Sequence, residues 1–338
     1  MYGYINKFWS SILKHEEQSW NLEHTNCFEN NFMVVKCFTN YHDNKEAILI
    51  NPPMAGHHSN IAQTVIKNYV DNTDYAVYSI EWKAATQETK NYSIAEIVDS
   101  VGIAAFIVMS FEGEGPIHLA GLCQGGWAEA MWASLNPNSV KSLIVAGSPI
   151  DFVIDGGKCQ DWLKVANNLY IQSIIDFNCG VWPGEYQLLG FKMLNPYERF
   201  FETYYKLWKS VCNEDNNTVN KWVRNNSWYE HIQDLPGKMV MEVCNNLFRN
   251  NDLINGKLYL DGRNVDLSKI TCPVVAITGD DDDITLTRQC SAILDYVSTP
   301  EEHKKHYRIQ HCGHIAIFIS KPALDKWRDA RNFIRGAI

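Results

Sequence analysis

The chain has no excess of positive charge: 30 Lys and Arg stand against 39 Asp and Glu, a net charge of -9 at pH 7, with an isoelectric point of about 5.7. A nucleic-acid binder gathers lysine and arginine on one face, so nucleic acid is not an expected partner. Long apolar runs are missing too. No stretch reaches the ~18 uninterrupted apolar residues of a membrane span, and the opening MYGYINKFWSSILKHEEQSW lacks the basic-then-apolar layout of a signal peptide. A cytoplasmic protein with no transmembrane segment is expected. Ten cysteines are scattered at 27, 37, 123, 159, 179, 212, 244, 272, 290 and 312, without the short paired spacings of zinc or redox sites, so they read as reduced thiols. Neither G-x-x-x-x-G-K-[ST] nor a G-x-G-x-x-G after a strand occurs, so no nucleotide cofactor is implied. Repeats and low-complexity tracts are also absent.

The 338 residues, 46% of them hydrophobic, are enough for one large domain with an inserted layer. Strand-like apolar runs occur at Met33–Cys37, Ala47–Asn51, Tyr75–Ile80, Ile117–Gly121, Ser142–Ala146, Pro273–Thr278 and His306–Ile309. Helical spacing falls between them at Ile61–Tyr69, Ile94–Met109 and Trp127–Leu135, each short enough for a single crossover. This alternation predicts an α/β fold with a mostly parallel sheet. Between Ile150 and Ile270 the rhythm fails, and Trp162, Trp182, Trp208, Trp222 and Trp228 supply five of the 11 tryptophans. The expected organisation is an N-terminal arm over 1–32, a core over 33–150 and 270–338, and a mainly helical cap over 151–269. Most of the cap aromatics would pack it onto the core, and the remainder would line an apolar channel.

Cys123 lies in Gly121-Leu122-Cys123-Gln124-Gly125-Gly126, after the apolar run Ile117-His118-Leu119-Ala120 and before the helical stretch from Trp127. This is a nucleophile elbow with sulfur in place of oxygen, where small residues two positions before and after the nucleophile let the backbone fold sharply. The helix dipole favours negative charge there. A lone cysteine is otherwise a small core residue. A thiol nucleophile needs a base, and the base needs an acceptor that fixes its tautomer. Downstream, Val274–Thr278 ends in Gly279-Asp280-Asp281-Asp282-Asp283, and His306–Gln310 leads into His311-Cys312-Gly313-His314. The order Cys123, Asp, His314 is that of α/β-hydrolases. Asp282 is preferred because the acid of the common hydrolase pattern lies three residues after the glycine; Asp281 or Asp283 could replace it, and the cluster could also be a solvated turn or a cation site. His311 reads as a loop histidine. For the oxyanion, the backbone N–H of Gln124 is one expected donor and that of Met54 or Ala55 the other, since Pro52 and Pro53 cannot donate. His57, with His58, and Trp127 are candidate substrate contacts.

At this point the motifs resemble the polyhydroxyalkanoate synthase and intracellular polyhydroxyalkanoate depolymerase branch of the α/β-hydrolases, from about Lys45 onward. GLCQGG resembles the synthase elbow. PPMAGHHSNIAQT, AGSPID at 146–151 and PGEYQLLGFKMLNP at 183–196 are more similar to depolymerases and their uncharacterised relatives, and the segment 235–273 resembles one found across the branch. The resemblance implies a Cys-Asp-His triad at Cys123, Asp282 and His314 acting on 3-hydroxyacyl esters. Hydrolysis of a 3-hydroxyalkanoate ester is the first expectation and synthase-type transfer from 3-hydroxyacyl-coenzyme A the alternative. Another small ester or thioester hydrolase, or a non-catalytic granule-binding protein, completes the set. Candidate partners are a polyester or 3-hydroxyacyl substrate, the surface of a storage granule and a second copy of the chain. No cofactor and no metal are expected.

Overall fold

Apolar runs such as Ile48-Leu49-Ile50 and Val274-Val275-Ala276-Ile277 carry no polar alternation, and they are buried on both faces, as central parallel strands covered by helices must be. The computed structural model describes residues 2–13, 19–39, 46–55, 58–71, 75–113, 115–230 and 232–337. Its main sheet has eight strands: β1 (Thr25–Glu29), β2 (Met33–Cys37), β3 (Ala47–Asn51), β4 (Ala76–Trp82), β5 (Ile117–Leu122), β6 (Val140–Ala146), β7 (Val274–Gly279) and β8 (Lys304–Ile309). Their order is β1-β2-β4-β3-β5-β6-β7-β8. β1 and β2 run antiparallel and β2 antiparallel to β4, while every other pair is parallel. The seven strand-like runs of the sequence all lie in this sheet. Thr25–Glu29, read in the sequence as part of the arm, is its edge strand.

Helices cover both faces. α1 (Tyr2–Leu13) precedes the sheet; α2 (His58–Val70), α3 (Ile94–Glu112) and α4 (Gln124–Leu135) are crossovers between its strands. α3 starts at Ser93, whose hydroxyl accepts the Ala95 N–H while Glu96 accepts the Ser93 N–H, and it stops at Gly113 in the left-handed conformation, so its termini are fixed by its own sequence. By length and composition alone α3 could cross a bilayer; nine of its residues are buried in the core that also holds Leu49, Leu119 and α4.

Between β6 and β7 the chain leaves the sheet through α5 (Lys158–Val165), α6 (Asn168–Phe177), α7 (Gly184–Leu194), α8 (Thr203–Cys212), α9 (Asn216–Glu230) and α10 (Gly237–Glu242). This is a helical insert ahead of the strand that carries the acidic cluster. α1 packs on it: Tyr4, Phe8 and Ile12 lie against Leu207, Val211 and Val219. The final helix, α11 (Lys321–Ala337), returns to the sheet face opposite α3 with Trp327 fully buried.

Candidate active site

β5 runs straight into α4, and Cys123 is the residue at the corner. Its φ of 52° and ψ of -121° are strained for a residue with a Cβ and cost about 1–3 kcal/mol. The corner survives because neighbours fix it. Cys123 N–H donates to the Ala146 carbonyl at 2.9 Å, and Gly126 N–H donates to the Cys123 carbonyl at 3.0 Å. A Cβ on Gly121 would meet Gly126 Cα at 2.3 Å, and one on Gly125 would meet the Asn51 carbonyl oxygen at 1.9 Å. Both are distances that no side chain tolerates.

The loops after β7 and β8 bring Asp282 and His314 together. His314 Nδ1 and Asp282 Oδ2 are 2.8 Å apart, with His314 3% and Asp282 4% exposed. The other carboxylate oxygen accepts the N–H groups of Ile284 and Thr285, each at 2.9 Å. The carboxylate therefore sets the tautomer, with Nδ1 as donor. Among the described residues Nε2 meets no hydrogen-bond partner at ordinary distance and angle, although the Cys123 sulfur is near enough to act on the ring. Burial alone would favour the neutral imidazole; the Asp282 carboxylate and then the Cys123 sulfur more than reverse this, raising His314 well above the usual histidine range.

The four aspartates diverge to separate partners. Asp280 pairs with Arg308, Asp281 lies 3.9 Å from His311, and Asp283 lies 3.6 Å from Arg199 of the insert. Asp282 alone turns inward.

Cys123 and His314 border one cavity of about 160 Å³, whose other walls include Trp127, Phe152, Trp162, Trp182 and Phe191. After α10 the backbone widens into a π-helical stretch, Val243–Arg249, which contributes Val243, Cys244 and Phe248 to the wall; such stretches recur at functional sites. The insert tryptophans on this wall carry no sequence signal that separates them from Trp222, which bonds Thr203 instead.

Gln124 and Ala55 also border the cavity. Ala55 N–H is engaged, donating to Gln124 Oε1 at 2.9 Å. Met54 is buried against a smaller cavity behind Gln124. His57 lies outside the described residues. Two supports had no sequence signal: Trp82 Nε1 donates to Asn51 Oδ1 at 3.1 Å and to the Pro52 carbonyl at 3.0 Å, and Asn51 Nδ2 donates to the Gly125 carbonyl at 3.3 Å. Together they tie the 52–55 loop to the elbow.

A mostly parallel sheet, a strained strand-to-helix corner after β5 and a buried His-Asp pair in the loops after β7 and β8 define an α/β-hydrolase fold. Solved structures agree. Mouse alpha/beta hydrolase domain-containing protein 10 superposes with a TM-score of 0.55 at 13% identity, over 93% of this chain and 99% of that one. The enol-lactonase of Burkholderia xenovorans superposes with a TM-score of 0.52 at 12% identity, over 90% and 98%. The chain belongs to the family described as "Protein of unknown function (DUF3141)", whose model matches residues 77–334. Among curated proteins it is similar to the poly(3-hydroxyalkanoate) polymerase subunit PhaC of Allochromatium vinosum, 26% identical over 77% of this chain and 73% of that protein. It is similar also to that of Haloferax mediterranei, 25% identical over 80% and 54%. These matches bear out the branch read from the motifs.

Proposed function

We propose that the protein is an acyl-transfer enzyme that takes a 3-hydroxyacyl group onto the Cys123 sulfur as a thioester and passes it on to a hydroxyl acceptor. The carrying observation is a thiol on the elbow and a buried His314–Asp282 pair bordering one apolar cavity. His314 would take the Cys123 proton, with Asp282 holding the imidazolium, and would return it to the leaving thiol or alcohol. The developing oxyanion would lie at the Gln124 N–H and the Ala55 N–H, the latter exchanging Gln124 Oε1 for the substrate oxygen. A cavity of about 160 Å³ is roughly the size that admits a benzene-sized guest, so the acyl chain near the sulfur would be short or bent. The helical insert would act as a cap over this chain.

The sequence reading put hydrolysis first. The polymerase subunits among the relatives and the thiol, which exchanges with thioesters at little cost in free energy, move the balance to transfer. Hydrolysis stays as the second reading because the 52–64 and 183–196 segments resemble depolymerases. Purified protein offered 3-hydroxybutyryl-coenzyme A and, separately, amorphous polyhydroxybutyrate distinguishes them. Release of free coenzyme A with polymer growth supports transfer; release of hydroxy acid from polymer, with the thioester untouched, supports hydrolysis; neither product overturns both.

A further inference from the structure

Two cysteines stand on neighbouring paired strands at the edge of the sheet, and neither borders the cavity. Cys27 occupies the irregularity in the β1–β2 ladder between Asn26 and Phe28, and Cys37 ends β2 opposite Thr25. An extra residue in a strand bends it and re-aims its side chain. The consequence here is that both cysteines pack against the same core cluster; the Cys27 thiol donates to the Thr25 carbonyl at 3.6 Å, Thr25 being the residue opposite Cys37, and Cys27 is the largest influence on the Cys37 thiol. Cys37 is 1% exposed, whereas Cys27 is only half-buried. When protonated, Cys37 donates to the Thr39 carbonyl at 3.1 Å.

The surroundings of Cys37 also suit an anion. Donation from Cys27 outweighs the burial that opposes it, Thr39 and Tyr78 add further donation, and the thiol is lowered to about 6. Burial pushes Cys159, Cys272 and Cys290 up to about 12 and Cys244 and Cys312 up to about 11. The sheet edge thus favours Cys37 as a thiolate and carries a second, more accessible sulfur on the paired strand.

We propose that Cys27 and Cys37 form an oxidisable dithiol site that takes low-molecular-weight disulfides. Cys27 meets the disulfide RS–SR, its sulfur displaces one RS⁻, and a mixed disulfide Cys27–S–SR forms. The Cys37 thiolate then attacks the Cys27 sulfur, breaking that S–S bond and expelling the second RS⁻. With Cys37 reacting as a thiolate, the protein loses two electrons and the one Cys27 proton; the disulfide gains the electrons as two RS⁻, which take up that proton and a further one from solvent. Thiolate, not thiol, is the attacking species, so Cys37 suits the second step, where burial shields it from any other partner. The product would tie β1 to β2 covalently. The site stands independently of the acyl-transfer reading.

The test incubates the purified full chain with oxidised glutathione at pH 7, quenches with an alkylating agent under denaturing conditions, and maps peptides by mass spectrometry without reductant. The expected product is a peptide pair linked through Cys27 and Cys37, formed roughly tenfold or more faster than glutathione adducts at the buried thiols, because Cys27 is the more accessible sulfur and burial holds the others protonated. In Cys37→Ser the reaction should stop at a stable Cys27–glutathione adduct. If oxidised wild-type protein keeps both residues separately alkylated, or holds glutathione stably on Cys27, the proposal is overturned; this wild-type readout decides even if the variant does not fold.

Discussion

His314 is buried where water scarcely reaches; burial favours its neutral form, and the carboxylate 2.8 Å away and then the neighbouring sulfur outweigh it and raise the pKa. Asp282→Asn removes the larger of these two favourable contributions and leaves an amide that can present its N–H to Nδ1. The raised pKa should fall, so the alkaline limb of the pH–rate profile, set where the imidazolium is lost, should move to lower pH, with kcat down by roughly 10²–10⁴. An unchanged alkaline limb, followed by coenzyme A release across pH 6 to 10, would remove Asp282 from the site. Glu129 is the opposite case. It is fully buried on α4, both carboxylate oxygens lack a partner among the described residues, and burial raises its pKa well above the usual value. A carboxyl whose folded pKa exceeds its unfolded pKa stabilises the fold at low pH and loses that contribution as pH rises from about 4.5 towards the folded pKa. Glu129→Gln, which cannot ionise, should therefore gain stability over wild type progressively from pH 5 to pH 8, read as a rising difference in urea midpoint; a constant difference would mean that Glu129 does not take up its proton on folding. Sequence spacing singles out Asp282 among four adjacent aspartates, but nothing in the sequence foretells that Asp280, Asp281 and Asp283 find Arg308, His311 and Arg199 as neighbours. Those pairings join positions up to 84 residues apart, as between Arg199 and Asp283, and exist only after the loops are set by the sheet.

Elements with a local cause were legible. The central strands are mostly apolar because both faces are covered, and α3 and α4 follow turn chemistry written into their first residues. β1 was not legible: Thr25-Asn26-Cys27-Phe28-Glu29 is an edge strand with exposed and half-buried positions, so its pairing comes from β2 rather than from a pattern of its own. The insert helices were legible only as a helical mass, since their burial is divided between the cavity, the core and α1. For α3, the reciprocal Ser93–Glu96 cap gives a numerical expectation. Ser93→Ala leaves the Ala95 N–H without its acceptor and should lower stability by about 1 kcal/mol, measured by urea unfolding with an unchanged m-value. Ser93→Asp, which restores the acceptor, should recover most of it. Loss of more than about 3 kcal/mol would mean that the cap also secures the neighbouring contact in which the Ile94 N–H donates to Glu242.

Across the whole molecule the insert and the acid-bearing loop are built as one piece. Gln289, just past the aspartates, donates through Nε2 to the Gly156 carbonyl at 2.8 Å, and its own carbonyl accepts the N–H groups of Ile150 and Asp151. Cys159 at the start of α5 approaches the Ile284 carbonyl at 3.7 Å. On the far side of the insert, Arg199 reaches Asp283, the residue next to Asp282. The entry of the insert is thus fastened by backbone hydrogen bonds, while the later contact is a single ion pair with both side chains about a quarter exposed. An ion pair of that kind is worth about 0.5–1 kcal/mol, too little to decide folding but enough to shift the insert between nearby positions by a factor of about 2–5. Arg199→Met and Asp283→Asn should each speed alkylation of Cys123 by iodoacetamide by about that factor, because a looser insert opens the cavity in which the sulfur sits, while global stability changes by less than about 1 kcal/mol. The double variant should be no faster than either single one, since both substitutions remove the same contact. Additive effects would show that Arg199 and Asp283 act separately, and unchanged alkylation in both would show that the insert keeps its place over Cys123 without them.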